Sequence, residues 1–478
     1  MGRIEKDSLG DVEVPDDALY GAFTTRAFNN FRISGIKANP DLISSYAIIK
    51  KAAALANMQL DMLDKEIGKA IVLAADEVIE GKHEIEFIID AFQAGAGTSS
   101  HMNTNEVIAN IANIKLGGKA GKYDRVHPNN HVNMAQSSND VTPTAARLSV
   151  LLTLPALVTE LEGLSAGFRS KAIEYDDVIK VGRTHLEDAV PIRFGQVFEG
   201  YAASIEKCVD NLKNAGNGML ELGIGGTAVG TGINTHPDFK DTIISQLRDL
   251  TGFGFYKGNS IMLAWSMLPF VAVSNALRML ALDLNKISND LRLLNSGPKA
   301  GISEVVLPEV QPGSSIMPGK INPSIAEAMN MVCFQVIGND HAVSMAAGAG
   351  QFELNVMTPL IAFDILWSVG LMTNTVSMFR EKCVSGMTVS EARCTELLDK
   401  SQCLATVLNP YIGYDNVSRL VKTALRENKS LKQVIIEQDV IPEKYLTEIL
   451  DARKMTEPGV VDKRIVGEIR EYHKNRAA

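Results

Sequence analysis

Four stretches of the chain repeat apolar residues at three- and four-residue spacing over lengths that only long helices satisfy. In the first, residues 145–154 lead past Pro155 to Leu157, Leu161, Leu164 and Phe168. Residues 195–222 and 260–294 repeat the pattern, and residues 322–379 form the least charged of the four. Helices this long with apolar faces this wide are hard to cover within one chain. They predict a mainly α protein built on a long central bundle that also buries faces against other chains. At 478 residues, 46% of them apolar, the chain has material for about three domains. The expected divisions are a mostly helical part over 1–138, the long-helix bundle over 139–393 and a small helical part over 394–478.

The first third opens with a short strand-turn piece around residues 10–15 and continues as helix over residues 40–80, which contain no proline after Pro40. At the other end, residues 404–425 and 431–440 read as short helices. Pro410 and Gly413 break the first and Pro442 ends the second, and the polar residues 454–478 read as a loose tail.

The formal net charge of −9 disfavours nonspecific binding to nucleic acid or to an anionic membrane. The most apolar region, residues 331–379, is interrupted by Asp340, Glu353 and Asp364. No clean apolar span of about 18 residues is left, so this is helix buried in protein. The N-terminus is charged from the start and has neither an apolar signal region nor a transit-like segment. Gly2 is followed by Lys6 where a myristoylation motif has Ser or Thr. The five cysteines are scattered, without a Cys-x-x-Cys pair, so neither a zinc site nor a disulfide framework is indicated. A cytoplasmic, reducing location is the expectation.

Against that acidic background one loop stands out: Gly313-Ser-Ser-Ile-Met-Pro-Gly-Lys-Ile-Asn-Pro323. It has no hydrophobic period, its prolines exclude a continuous helix, and its glycines permit backbone angles that a Cβ forbids. It carries Ser314, Ser315, Lys320 and Asn322 and no acid. Lys320 supplies charge, and Ser315, Asn322 and backbone N–H groups supply donors, so the loop suits an anion. The spacing is not that of a phosphate-binding P-loop. Three further segments are rich in small polar residues: Gly-Ala-Gly-Thr-Ser at 95–99, Gln-Ser-Ser-Asn-Asp at 136–140 and Gly-Arg-Thr-His-Leu-Glu at 182–187. Taken singly, Thr98 or Ser99 could be a helix cap, the 136–140 run another cap, and His185 a structural histidine. His127 and His131, four apart, could hold metal on a helix, but Pro128 and two asparagines between them favour a turn. The glycine-rich residues 223–232 lack the strand before them that a dinucleotide site requires, and read as a turn allowing close helix approach.

Together these segments resemble the aspartase/fumarase superfamily, whose members eliminate a group from a succinyl skeleton to release fumarate. The resemblance runs from the N-terminus to about Pro458. It implies a three-domain fold, a homotetramer with a central helical core, and active sites shared among subunits. The Gly-Ala-Gly-Thr-Ser loop is the version aspartases carry, where fumarases tend to have Gly-Ser-Gly-Thr-Gln. Ser138, Val126-His-Pro128 and Gly232-Ile-Asn-Thr-His236 lean the other way. Elimination of ammonia from L-aspartate is therefore the first expectation and hydration of fumarate the alternative. A non-catalytic structural protein on the same fold is a third possibility, against which Ser314, Lys320 and His185 argue.

By the family pattern Ser314 is the base, acting as an oxyanion that needs several backbone N–H donors and Lys320 nearby in a closed site. Lys320, Asn322 and Thr184 would anchor the α-carboxylate. Thr98, Ser137, Ser138 and Ser315 would clamp the charge that builds on the β-carboxylate. His185 and Asn139 would hold the departing group, with Glu327 as the partner of His185. The substrate carboxylate is itself the electron sink, so no metal or organic cofactor is expected. Residues 351–357 also resemble the superfamily and are expected to pack under the site.

Overall fold

The computed structural model describes residues 2–477, with side chains described through residue 475. It is mainly helical, and β structure among the described residues amounts to four two-stranded sheets and two isolated bridges. The chain separates into two compact units, each assembled from three segments. The first comprises Met1–Glu160, Cys208–Leu282 and Met331–Thr375; the second comprises Leu161–Lys207, Asp283–Asn330 and Val376–Ala478. The boundaries fall inside long helices: Ser138–Glu174, Phe194–Asn217, Leu268–Leu294, Ser324–Ala347 and Thr358–Phe379.

These are the helices that the apolar spacing predicts. Helix Ser138–Glu174 contains both Pro143 and Pro155 and runs through them, and Leu157, Leu161, Leu164 and Phe168 are all fully buried. Tertiary packing of that apolar stripe outweighs the two rungs of backbone hydrogen bonding that the prolines remove. Among the described residues two helices are long and apolar enough to span a bilayer by length and composition, Ser138–Glu174 and Thr358–Val384. Shares of 72% and 56% of their most apolar windows are buried inside the chain, as in core helices. The wide apolar faces are not fully covered by the chain itself. Leu268, Met331, Phe334, Met345 and Trp367 on these helices are exposed.

The N-terminal strand-turn piece is a hairpin of Gly2–Asp7 with Gly10–Pro15, with Ile4 opposite Glu13. The region 40–80 is two helices, Pro40–Gln59 and Lys65–Ile79, not one. The break lies where Asp61 takes a left-handed backbone and the Asp64 side chain caps the second helix by accepting from the N–H groups of Glu66 and Ile67. The tail is not loose: it forms helix Lys463–Ala477, anchored by Ile465 and Ile469 in a small core with Leu408, Ile435 and Leu446.

Asp364 lies buried in helix Thr358–Phe379, and its Oδ2 has no hydrogen-bond partner among the described residues. Burial pushes its carboxyl up to about 6. A carboxyl whose folded pKa exceeds its unfolded value favours the folded state at low pH, and that advantage is lost as pH rises from about 4 to about 6. Asp364→Asn is therefore expected to stabilise the protein at pH 8 by about 1–2 kcal/mol, allowing for solvent screening, and by less at pH 4.5. Urea denaturation at fixed protein concentration at the two pH values checks it; an equal effect at both would contradict the burial argument.

Candidate active site

In the first unit, helix Thr98–Lys115 begins immediately after two left-handed residues, Ala96 at φ 58° and Gly97 at φ 71°. Its N-cap is Gly97, and no side chain caps it, so the hydroxyls of Thr98 and Ser99 are not used there. The loop is fastened from below, since the Ala96 N–H donates to the Val356 carbonyl at 2.8 Å. Residues 351–357 thus underlie the Thr98 loop, and a Cβ at Gly95 would stand 2.9 Å from Val356. Asn355, fully buried, donates to the carbonyls of Ala346 and Ala347 and holds that segment in turn.

Ser137, Ser138 and Asn139 form the start of helix Ser138–Glu174. Behind them lies Asp140, which the sequence reading left without a role. Its buried carboxylate accepts from the N–H groups of Ser137 at 2.9 Å, Gly225 at 3.0 Å and Thr227 at 2.9 Å. Burial raises its pKa, and these three donors oppose the rise. One acid therefore ties the serine segment to the glycine-rich loop, and Asn139 adds a bond from its Nδ2 to the Ala228 carbonyl at 2.7 Å. The loop permits the close approach that its glycines predict: a Cβ at Gly230, where φ is 92°, would lie 2.6 Å from the Ile261 backbone.

Two more residues absent from the sequence reading sit against Ser138. His101 Nδ1 is 2.8 Å from Ser138 Oγ, and His101 Nε2 is 2.5 Å from Lys50 Nζ. Lys50 also reaches Asn133 Oδ1 at 3.0 Å and Gln136 Oε1 at 2.8 Å, and both Lys50 and His101 are fully buried. Burial pulls the Lys50 pKa well down, opposed by the charge of Asp140. Burial and the neighbouring Lys50 hold His101 well below its ordinary value. Thr98 lies three residues before His101, one turn earlier on the same helix. The sequence signal for Lys50 was its position. In helix Pro40–Gln59 it falls in register with buried Tyr46 and Ala53, whereas Lys51 lies in line with the partly exposed Ser44, Ile48 and Leu55 and pairs with Asp76. The pair His127 and His131 forms a tight turn in which the Nδ1 of each accepts a backbone N–H.

In the second unit, Thr184 and His185 lie on a β-hairpin, Ile179–Thr184 with Glu187–Arg193, inside a region that reads as helical. Its two-residue turn is His185-Leu186, with φ of 57° and 65°. Hairpins of this kind ordinarily use Asn-Gly, because both positions need left-handed backbone. A histidine and a leucine held there are strained and exposed, a combination that clusters at functional sites. The strand before the turn is clamped by the buried acid Glu304. Arg183 meets it with two hydrogen bonds of 2.9 and 3.0 Å, and Lys180 lies 3.3 Å from it.

The 313–323 loop is exposed over most of its length and is closed by its own bonds. The Gly313 N–H donates to the Lys320 carbonyl at 2.8 Å, and Asn322 Nδ2 donates to the Gly313 carbonyl at 2.6 Å. Ser314 Oγ accepts two backbone N–H groups, from Ile316 at 3.2 Å and Met317 at 2.9 Å. Ser315 and Lys320 are exposed beside it. Helix Ser324–Ala347 follows, with Glu327 in its first turn. Among the described residues no hydrogen bond joins His185 to Glu327. The chain therefore groups Thr98, Ser137, Ser138 and Asn139 in one unit, and places Thr184 and His185 on the hairpin of the other, which also carries the Ser314 loop.

The matches to known proteins cover nearly the whole chain. Residues 10–338 match the family described as Lyase, and residues 404–457 that described as Fumarase C C-terminus. The chain is 46% identical to an aspartate ammonia-lyase of Bacillus sp over 97% of this chain and 99% of that one. It is 42% identical to the aspartate ammonia-lyase of Escherichia coli strain K12 over 98% of each. Among solved structures, a fumarate lyase:delta crystallin from Brucella melitensis bound to cobalt superposes with a TM-score of 0.93 at 44% identity, covering 96% of this chain and all of that one. A class II fumarase from Schistosoma mansoni gives a TM-score of 0.93 at 37% identity with the same coverage. The four polar segments therefore stand on a fold shared from end to end with enzymes of one kind, and the chain belongs to the lyases of the aspartase/fumarase superfamily.

Proposed function

We propose that this protein removes ammonia reversibly from L-aspartate to give fumarate. The observation that carries the reading is near-full-length identity of 42–46% to aspartate ammonia-lyases. In the proposed mechanism Ser314, as an oxyanion, takes a proton from C3. The electron pair left behind moves into the β-carboxylate, which becomes doubly charged. That charge collapses to form the C2–C3 double bond as the C2–N bond breaks and ammonia leaves on the opposite face. The two N–H groups converging on Ser314 Oγ support its part, because donors to an anionic oxygen lower the cost of forming it. Thr98, Ser137, Ser138 and Ser315 hold the β-carboxylate, and Lys320, Asn322 and Thr184 the α-carboxylate. His185, supported by Glu327, and Asn139 receive the departing ammonia.

The working form is proposed to be a cytoplasmic homotetramer whose sites draw on more than one subunit, organised as three domains over 1–138, 139–393 and 394–478. The exposed apolar residues on the long helices support assembly. Five buried cysteines suit a reducing compartment.

Hydration of fumarate is the second reading, favoured by the likeness to the Schistosoma fumarase. The conjugated double bond of fumarate absorbs in the ultraviolet and separates the two. Absorbance rising with L-aspartate is the expected result. A rise with L-malate alone would replace the proposal by the second reading, and no change with either would overturn both.

A further inference from the structure

We infer that Lys50 and His101 are positioning residues that fix the direction of the Ser138 hydroxyl, so that its proton points outward to a ligand carboxylate. The inference rests on the reading of Ser138 as a carboxylate donor. Its own ground is the hydrogen-bond inventory around the buried Lys50, which favours one direction through His101.

Lys50 Nζ faces three acceptors: His101 Nε2, Asn133 Oδ1 and Gln136 Oε1. The orientations of the two amides are fixed independently of Lys50. Gln136 Nε2 donates to the carbonyls of Val132 and Met134, which leaves its oxygen toward Lys50. Asn133 Nδ2 donates to the Gln136 carbonyl, which does the same for its oxygen. An ammonium has three N–H donors and no lone pair, so these three partners satisfy it fully. A neutral amine would have to accept its third bond from an Nε2–H of His101, and that proton would then face the Nδ2 donor of Asn105, whose amide is oriented by its contact with Met102 Sδ. The buried Asp140 carboxylate supplies the counter-charge.

The remaining assignments follow from that. With Lys50 donating, His101 Nε2 is an acceptor. The other group facing Nε2 agrees, since Asn105 Nδ2 stands 3.5 Å away and is also a donor. A neutral imidazole carries one N–H, so the proton is on Nδ1. Nδ1 lies 2.8 Å from Ser138 Oγ and therefore donates to it. Ser138 Oγ thus accepts from the interior, and its own O–H must look elsewhere. Stacking of His101 on Tyr46, whose hydroxyl donates to Thr142 at 2.9 Å, holds the ring plane. If Lys50 were neutral and accepted from His101, every bond would reverse. Ser138 would then donate inward and meet a carboxylate with lone pairs only.

Neutron diffraction on crystals of the unaltered protein, exchanged into heavy water, reads this directly. Deuterium is expected on His101 Nδ1 and not on Nε2, with three deuterons on Lys50 Nζ. Deuterium on Nε2, or two deuterons on Lys50, would overturn the inference whatever the substrate proves to be. A double-mutant cycle on the affinity for succinate, an unreactive dicarboxylate, tests the consequence. Lys50→Met and Ser138→Ala are each expected to weaken binding about 10–100-fold, the worth of a hydrogen bond to a charged group, and the double variant no more than either single one. Losses that multiply would show that Lys50 acts by some route other than Ser138. Failure of the unaltered protein to make fumarate from L-aspartate would count against the proposed reaction and leave the neutron assignment standing.

Discussion

Ser314→Ala is expected to lower kcat for release of fumarate from L-aspartate by about a thousandfold, the scale of losing a positioned proton-transfer group, with KM little changed. The expectation follows from where the hydroxyl sits. It lies on an exposed loop outside any apolar core, so its removal should leave helix content and thermal stability as they are. Its oxygen gathers the N–H groups of Ile316 and Met317, and Lys320 lies on the same loop. A Ser314→Thr variant would keep the oxygen but crowd it, and should recover part of the rate. Steady-state kinetics with circular dichroism on the same samples decides it. Near-normal kcat in a folded Ser314→Ala variant would remove Ser314 as the base and leave the loop as an anchor for substrate only.

The largest expected loss of stability follows from Glu304→Gln. The carboxylate is fully buried and answers two cations, Arg183 through paired hydrogen bonds and Lys180 at 3.3 Å. An amide of the same shape leaves two positive charges in a poorly solvated place with nothing to neutralise them. Breaking a buried ion pair in this way costs about 3–5 kcal/mol. The effect should reach the chemistry as well, because Arg183 immediately precedes Thr184 and His185 in the strand that the acid clamps. A lowered urea midpoint together with a fall in kcat is expected. Unchanged stability would mean that solvent or a neighbouring subunit compensates the two cations.

Most of the fold was legible because its signal is repetitive. Leu157, Leu161, Leu164 and Phe168 predict a helix through Pro155, and all four are buried. The hairpin bearing Thr184 and His185 was not legible, because its turn contains neither glycine nor asparagine and its short strands carry little alternation. The order of the tail is hidden for a related reason: its composition is polar, and the residues it sends into the small core, Ile465 and Ile469, are two isolated positions one turn apart. At the site, sequence could point to the small polar residues on loops, since no core has use for them there. It could not point to Asp140, Lys50 or His101. Their importance lies in being buried against one another, a property of three-dimensional neighbours that a linear pattern conveys only faintly, as with the register of Lys50.

The internal bonds of the 313–323 loop bear on how such a segment can close over a ligand. Gly313 is tied to Lys320 and Asn322 across the ring, and Ser314 to the two residues at its tip. Ordering a free chain costs about 1–2 kcal/mol per residue in lost conformational entropy. Here much of that ordering has been done before any ligand arrives. A ligand that binds there has correspondingly less chain to freeze, and more of its binding energy is left for the transition state.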